Sequence, residues 1–369
     1  MKRRLIIDCL AFEYGKAFGY QEYVLNLLEY MYSHRDLILY DDIIIVCIAS
    51  QQRCFGKYAD KMSIKAYNCD SIFKRLMLQT WMPFHLSLNK RDLVLHTANY
   101  SSLIKKATSV LVIHDLLFKR KTLFPYRLMR YQRRFYLPLS IVNADKIVAI
   151  SQFTKTDIEC YYKKLCRNKV VVIYNYFNFK KYPSAIGGIK KEKLFILVCS
   201  SAVHKNTITV LKAFNLYCTA GGTYNLVLVG ALKKGTVAAN YYEQLPAAIK
   251  ERIVMYNKIS NSLLAELYQK SSAYISASLF EGLGMPIVEA MYFNLPVILS
   301  DYPVFHEVSL GKGIYFNPLD ETDLVKKMLY VQKHSISVSY MQQVLEFYSE
   351  QNTSQRYIDL FNELYNKTK

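Results

Sequence analysis

The eight cysteines include no CxxC pair and no Cys/His group at zinc-ligand spacing, which argues against a metal-stapled domain and a CxxC redox site. Cys9, Cys47 and Cys199 fall in apolar, strand-like runs and read as small buried residues of a reducing compartment. No uninterrupted apolar run is long enough to span a bilayer. The start, MKRRLIIDCLAF, has a short apolar stretch broken by Asp8 and no small-residue cleavage site, so it reads as a buried first strand rather than a secretion signal. Acid is scarce. Against 48 Lys and Arg stand 29 Asp and Glu, for a formal net charge of +19. Such a surplus favours anionic partners: nucleotide phosphates, nucleic acid or acidic lipid headgroups. No recognisable nucleic-acid motif accompanies it. The expected location is cytoplasmic, either soluble or peripheral on the cytoplasmic face of a membrane.

What is present is globular in composition, with 52% hydrophobic and 21% charged residues in 369, a length that suits two domains. Continuous apolar runs at 5–8, 42–48, 93–96, 109–114, 146–150 and 169–173 read as strands of a parallel sheet covered on both faces. Helical patterns lie between them; in QEYVLNLLEYM, residues Tyr23, Leu27 and Met31 share a stripe with Val24 and Leu28. Residues 179–193, with Pro183, Ser184, Gly187 and Gly188, carry no period and read as a linker. A second series follows, with runs at 194–200, 224–230, 252–256, 273–278, 296–300 and 313–316. The expected organisation is an α/β chain of two doubly wound Rossmann-like domains, 1–178 and 194–338, facing a cleft. Residues 339–369 form helices expected to cross back to the first domain. In open α/β sheets, ligands bind at the carboxyl ends of the strands.

The most informative stretch is EGLGMPIVEAM, residues 281–291. It follows a strand-like run, and Pro286 suits the start of a helix that ends near Asn294. Gly282 and Gly284 let backbone N–H groups approach a ligand, and a helix N-terminus favours an anion such as phosphate. Carboxylates beside a phosphate repel it unless they face neutral donors, and sugar or ribose hydroxyls are such donors. Phosphate, sugar and ribose together describe a nucleotide sugar.

The longer stretch SLFEGLGMPIVEAMYFNLPVILSD resembles the signature of retaining GT-B glycosyltransferases of the family 4 type, a frame close to EGFGLPxxEAMxxGxPVxxS. Agreement falls at Glu281, Gly282, Gly284, Pro286, Glu289, Ala290, Met291, Pro296, Val297 and Ser300. Other pieces follow in the family's order: VIHDLLF, ADKIVAISQFTKTDI, the strand around Asn175, HKNTITVLKAF and GIYFNPLD. The resemblance implies a metal-independent hexosyltransferase that moves sugar from a UDP- or GDP-sugar to a saccharide or lipid-linked acceptor, in cell-surface polysaccharide or glycolipid synthesis. The nucleotide sugar is a substrate, and no cofactor or metal is implied; a DxD acid pair is absent from the sequence.

By this resemblance Glu281, His114 and Lys205 are catalytic. Gly19, His204, Lys205, Gly282, Leu283, Gly284, Met285 and Glu289 bind the donor, with Glu289 on the ribose and Lys205 on the pyrophosphate. Gly19 is assigned to an N-terminal loop near the phosphates. Two departures stand out. Phe18 and Gly19 occupy the place of the family's two glycines, and the run CSSAVHKN lacks the usual Arg before Lys205. An inactive relative serving as a partner subunit is the alternative, and a basic nucleic-acid-binding α/β protein a remote one. Residues 119–140 suggest a basic amphipathic helix, with Arg127, Arg130 and Arg134 near one face. It is read either as an anionic-membrane contact or as a solvated helix packing its apolar side on its own sheet.

Overall fold

A computed structural model describes residues 2–15, 18–69, 71–182, 190–334 and 336–367. The linker residues Pro183, Ser184, Gly187 and Gly188 lie outside these. The chain divides into two compact units. The first comprises Met1–Lys119, Tyr126–Phe177 and Tyr348–Lys369; the second comprises Arg120–Pro125 and Asn178–Phe347.

In the first unit the described strands are β1 (Arg4–Asp8), β2 (Asp42–Ile48), β3 (Ser63–Tyr67), β4 (Leu93–His96), β5 (Thr108–Ile113), β6 (Lys146–Ala149) and β7 (Val170–Val172). They pair in parallel in the order β3-β2-β1-β4-β5-β6-β7. Helices α1 (Phe18–Ser33), α2 (Ile72–His85), α3 (Arg127–Asn143) and α4 (Gln152–Cys166) connect or flank them. Beyond their first residues the central strands are buried, which is why they read as unbroken apolar runs. Strand β3, SIKAY, escapes such a reading. It is an edge strand with Ser63 and Lys65 exposed, so it lacks the apolar run of its neighbours.

The second unit holds α5 (Thr207–Thr219), α6 (Val237–Gln244), α7 (Ala247–Lys250), α8 (Asn261–Lys270), α9 (Met285–Tyr292), α10 (Pro303–Val308), α11 (Glu321–His334) and α12 (Met341–Phe347). Its strands are β8 (Leu194–Val198), β9 (Asn225–Val229), β10 (Ile253–Tyr256), β11 (Ala273–Ser276), β12 (Val297–Ser300) and β13 (Ile314–Phe316). Their order is β10-β9-β8-β11-β12-β13, again parallel. One core packs Val210, Leu211 and Phe214 of α5 against Phe195, Leu226 and Leu228 of the sheet. Each such apolar side chain, fully buried, contributes about 1.5–3 kcal/mol relative to exposure. The second unit continues through α12, so of residues 339–369 only those from Tyr348, including α13 (Ser354–Lys367), belong to the first unit.

Both sheets reverse strand order beside their first strand, between β1 and β4 and between β8 and β11. Loops leaving neighbouring strands there part to opposite faces and leave a crevice, the usual ligand position in such sheets.

Candidate active site

In the second unit the crevice is bounded by the loops after β8 and β11. The first ends in a tight turn, Val203–Lys205, and Asn206 in the left-handed region at φ 50° precedes α5. Asn206 is held there by its amide, which donates to the Pro318 carbonyl at 3.0 Å, while the Thr209 hydroxyl donates to its Oδ1 at 3.0 Å. The Leu279 amide donates to the His204 carbonyl at 2.7 Å, tying the two loops together. Lys205 Nζ then reaches Glu281 Oε1 at 2.6 Å.

Glu281 lies in a half-buried setting. Burial pushes its carboxyl pKa up, but the charges of Lys205 and His204, with hydrogen bonds from Lys205 and Ser278, outweigh that and hold it below the ordinary value. It is therefore an anion at neutral pH, partnered by an ammonium. The turn after it passes through Gly284, whose φ of +93° suits glycine. A Cβ there would also come within 3.1 Å of Ile287 Cδ1. Leu283 is buried, while Gly282 and Met285 are half-buried. Helix α9 begins at Met285, and Pro286 stands in its first turn, where no intrahelical N–H is needed. Asn294 ends this segment at φ 50°, the position where the family frame has Gly.

Glu289 is buried on α9 and accepts from the Tyr268 hydroxyl at 3.3 Å. Its other oxygen pairs with Lys181 Nζ at 3.4 Å. Lys181 belongs to a short turn, Phe179–Lys181, that also places Phe179 in a stack on Tyr292 at 4.3 Å. Nothing in the local sequence marks Lys181, since its pairing depends on a contact 108 residues away. Burial, together with the Glu289 charge, keeps the Tyr268 hydroxyl protonated and able to donate. Both carboxylates thus already hold a hydrogen-bond donor and a cation nearby, a setting able to exchange partners with a hydroxyl- and phosphate-bearing ligand.

The first unit carries the remaining predicted residues. His114 follows β5, and its Nε2 lies 2.8 Å from the Thr97 carbonyl. A carbonyl only accepts, so Nε2 bears the proton. Burial lowers the His114 pKa despite opposing contributions from Thr97 and Asp115, which favours the neutral ring with Nδ1 as acceptor. Tyr20 and Tyr23 of α1 contact that ring edge-on at 5.4 and 4.9 Å. Gly19 departs from its expected loop position. It is exposed in the first turn of α1, because the helix already starts at Phe18.

Sequence patterns did not reveal a buried polar group beside these residues. Asp8, at the end of β1, accepts from His96 Nδ1 and from the Gln79 amide, each at 2.7 Å. The Thr97 hydroxyl donates to the Asp8 carbonyl at 2.6 Å and lies 2.6 Å from the Tyr20 hydroxyl. Asp8 interrupting an apolar run was the available signal. The basic helix expected over 119–140 begins only at Arg127 and runs to Asn143. In α3, Arg127 and Arg134 are exposed and Arg130 is half-buried, while Leu137 and Ile141 face the core.

The sequence model of Glycosyltransferase Family 4 matches residues 66–180, and that of Glycosyl transferases group 1 matches residues 180–343. The chain is 28% identical over 273 residues to the O-antigen chain mannosyltransferase RfbU of Salmonella typhimurium, covering 73% of each. It is 27% identical over 241 residues to the serotype-specific mannosyltransferase WbdA of Escherichia coli, covering 60% of this chain but 29% of that relative. Sucrose-phosphate synthase from Thermosynechococcus elongatus shares the fold with a TM-score of 0.78 at 14% identity, over 99% of this chain and 100% of that one. With parallel α/β units, the Glu281 turn and two consecutive family matches in agreement, this chain belongs to the family 4 type of GT-B glycosyltransferases.

Proposed function

We propose that this glycosyltransferase moves a hexose, with mannose favoured by its relatives' names, from a UDP- or GDP-sugar to a saccharide or lipid-linked acceptor in cell-surface polysaccharide synthesis. The Lys205–Glu281 pair beside the Gly284 turn carries this reading. In it, Lys205 leaves Glu281 for the donor pyrophosphate, and Glu281 turns to a sugar hydroxyl. Glu289 exchanges Lys181 for the ribose hydroxyls. The anomeric carbon–phosphate oxygen bond breaks as the acceptor oxygen bonds to the same face. The acceptor proton passes to the departing phosphate oxygen, and configuration is retained. Lys205 and backbone donors near the α9 N-terminus offset the charge gained by the leaving group, a role that makes the step metal-independent. His114 of the first unit keeps the catalytic role expected of it, as a neutral hydrogen-bond acceptor. The protein acts in the cytoplasm.

The test is a thermal-shift panel of UDP-, GDP- and ADP-sugars followed by turnover of the best binder. A donor at a hundred times its dissociation constant adds about 2.7 kcal/mol of stability. GDP-mannose raising the melting temperature and losing its sugar to an acceptor polysaccharide is the expected result. No stabilisation by any nucleotide sugar would overturn the reading. Stabilisation without turnover, across the acceptors tried, would favour a partner subunit that binds a donor and transfers nothing.

A further inference from the structure

Two carboxylates of the second unit are each held by a lysine. Lys205 Nζ lies 2.6 Å from Glu281 Oε1, and Lys181 Nζ lies 3.4 Å from Glu289 Oε1. The first pair is a close contact. The second is longer than an ordinary charge-assisted hydrogen bond, so Lys181 sits loosely on its partner. Glu289 also keeps an anchor that does not depend on Lys181, the Tyr268 hydroxyl at 3.3 Å.

The two pairs belong to one neighbourhood. Tyr274 of β11 is buried at the switch point of the second sheet, where β11 adjoins β8. Burial pushes its hydroxyl pKa up, and the charges of Glu281 and Glu289 both add to the effect. Such influence falls off with distance, so both carboxylates lie near this one side chain. The ammonium groups that they hold are therefore gathered about the same place.

Lys181 is mobile on a fixed base. Phe179 stacks on Tyr292 at 4.3 Å, and Tyr182 meets Phe293 edge-on at 5.3 Å. The backbone around Lys181 is thus packed on the end of α9, while a lysine stem turns freely and ends in three donors.

Charge states the need. A nucleoside diphosphate carries more than one negative charge, yet the loop before α5 offers it one lysine and a histidine. The run CSSAVHKN has no Arg before Lys205. The ribose hydroxyls that replace Lys181 on Glu289 are neutral. The displaced ammonium, in half-buried surroundings, needs an anion, and the phosphate borne by the same ribose is one.

We propose that Lys181 is a second cation for the donor diphosphate. As the ribose occupies Glu289, the Lys181 ammonium turns to the phosphate next to that ribose, and Lys205 serves the phosphate next to the transferred sugar. Two internal ion pairs are exchanged for two with the ligand. The inference rests on the donor reading above and extends it to a residue that no local motif marks.

The experiment measures GDP and UDP affinity by calorimetry in wild type, Lys181→Met, Lys181→Arg, Glu289→Gln and the Lys181→Met/Glu289→Gln double variant. Melting curves check each fold, and Lys181→Gln takes the place of Lys181→Met should methionine not be tolerated. Methionine keeps the length of the side chain and loses its charge. Lys181→Met should weaken the tighter diphosphate by about tenfold or more, the scale for one hydrogen bond between charged groups. Lys181→Arg should restore most of that loss. Because the new partner is a phosphate and not Glu289, the same loss should persist in the Glu289→Gln background. A loss seen only when Glu289 is ionised would mean that Lys181 serves the carboxylate alone, and would overturn the proposal. Tighter binding by Lys181→Met would overturn it too, since Lys181 would then merely compete with the ribose. So would unchanged affinity in a folded variant. Wild type that binds neither diphosphate sinks the donor reading and this inference together, whereas binding that ignores Lys181 sinks this inference alone.

Discussion

At the scale of single residues, the decisive feature is an ion pair whose partners face opposite pressures. Glu281 is driven up by burial and down by Lys205 and His204, and the cations prevail. Such a depressed carboxylate contributes stability fully present above its unfolded pKa and lost as pH falls through its lower folded value. Lys205→Ala removes the main charge favouring the anion. Burial then dominates, the Glu281 pKa rises, and the acid-side stability contribution shrinks or changes sign. On the proposed chemistry the same change lowers turnover by about 10²–10³-fold, the range for one preorganised charge-stabilising donor. The measurement is release of nucleoside diphosphate with donor and acceptor present, alongside melting curves over the acid range. Full turnover in a folded Lys205→Ala enzyme would mean that the pyrophosphate is held elsewhere.

Legibility at this scale followed density of pattern. Glu281, Gly284 and Glu289 stand in a crowded motif whose residue types alone place them on a turn and a helix. Lys181 is not so placed, because its meeting with Glu289 is made by the fold of the second unit rather than by nearby residues. Asp8 and His96 likewise lie 88 positions apart and meet only because β1 and β4 are neighbours in the sheet. Gly19 was read as a loop residue because the place of α1's first turn depends on where the helix begins, and no capping residue precedes Phe18 in the sequence to mark it.

At the scale of elements, strands buried on both faces declared themselves, and the half-buried edge strand β3 did not. The sequence also pointed to the end of α9, since Asn is among the few residues at ease in the left-handed region. The structure adds a second duty for Asn294. Its Oδ1 accepts from the amides of Tyr340 at 2.7 Å and Met341 at 2.9 Å, so the exit of α9 caps the entry of α12. The two duties are separable by substitution. Asn294→Gly keeps the conformation and loses two hydrogen bonds, a cost of about 1–2 kcal/mol. Asn294→Ala loses the bonds and adds the left-handed penalty of about 1 kcal/mol or more. Chemical denaturation should therefore rank wild type above Asn294→Gly, and Asn294→Ala last. Equal stability of Asn294→Gly and wild type would show that the α12 cap contributes nothing measurable.

At the scale of the whole molecule, chain order and structural membership part company. Helix α13 follows the second unit in sequence yet belongs to the first, packing against α1 and β4. Its amphipathic pattern was legible, but the surface it would cover was not, because an apolar stripe names no partner. The contacts are specific. The Tyr23 hydroxyl donates to that of Tyr357 at 3.1 Å, and that of Tyr30 to Gln355 at 2.7 Å. Arg3 lies over the Tyr365 ring at 4.3 Å and donates to its carbonyl at 2.9 Å. Phe361 and Ile358 are fully buried. A truncated core aromatic costs about 3–5 kcal/mol through lost transfer energy and the cavity left behind. Phe361→Ala should therefore weaken the first unit, although the substitution lies close to the end of the chain. Hydrogen exchange locates the effect: amides of β1 and β4 should lose protection, while those of β8 and β9 keep theirs and the nucleotide-sugar response of the second unit persists. Protection lost equally in β1, β4, β8 and β9 would show that the two units unfold as one. Protection lost only within α13 would show that the helix frays without supporting the sheet, and its place in the first unit would then be one of contact without stability.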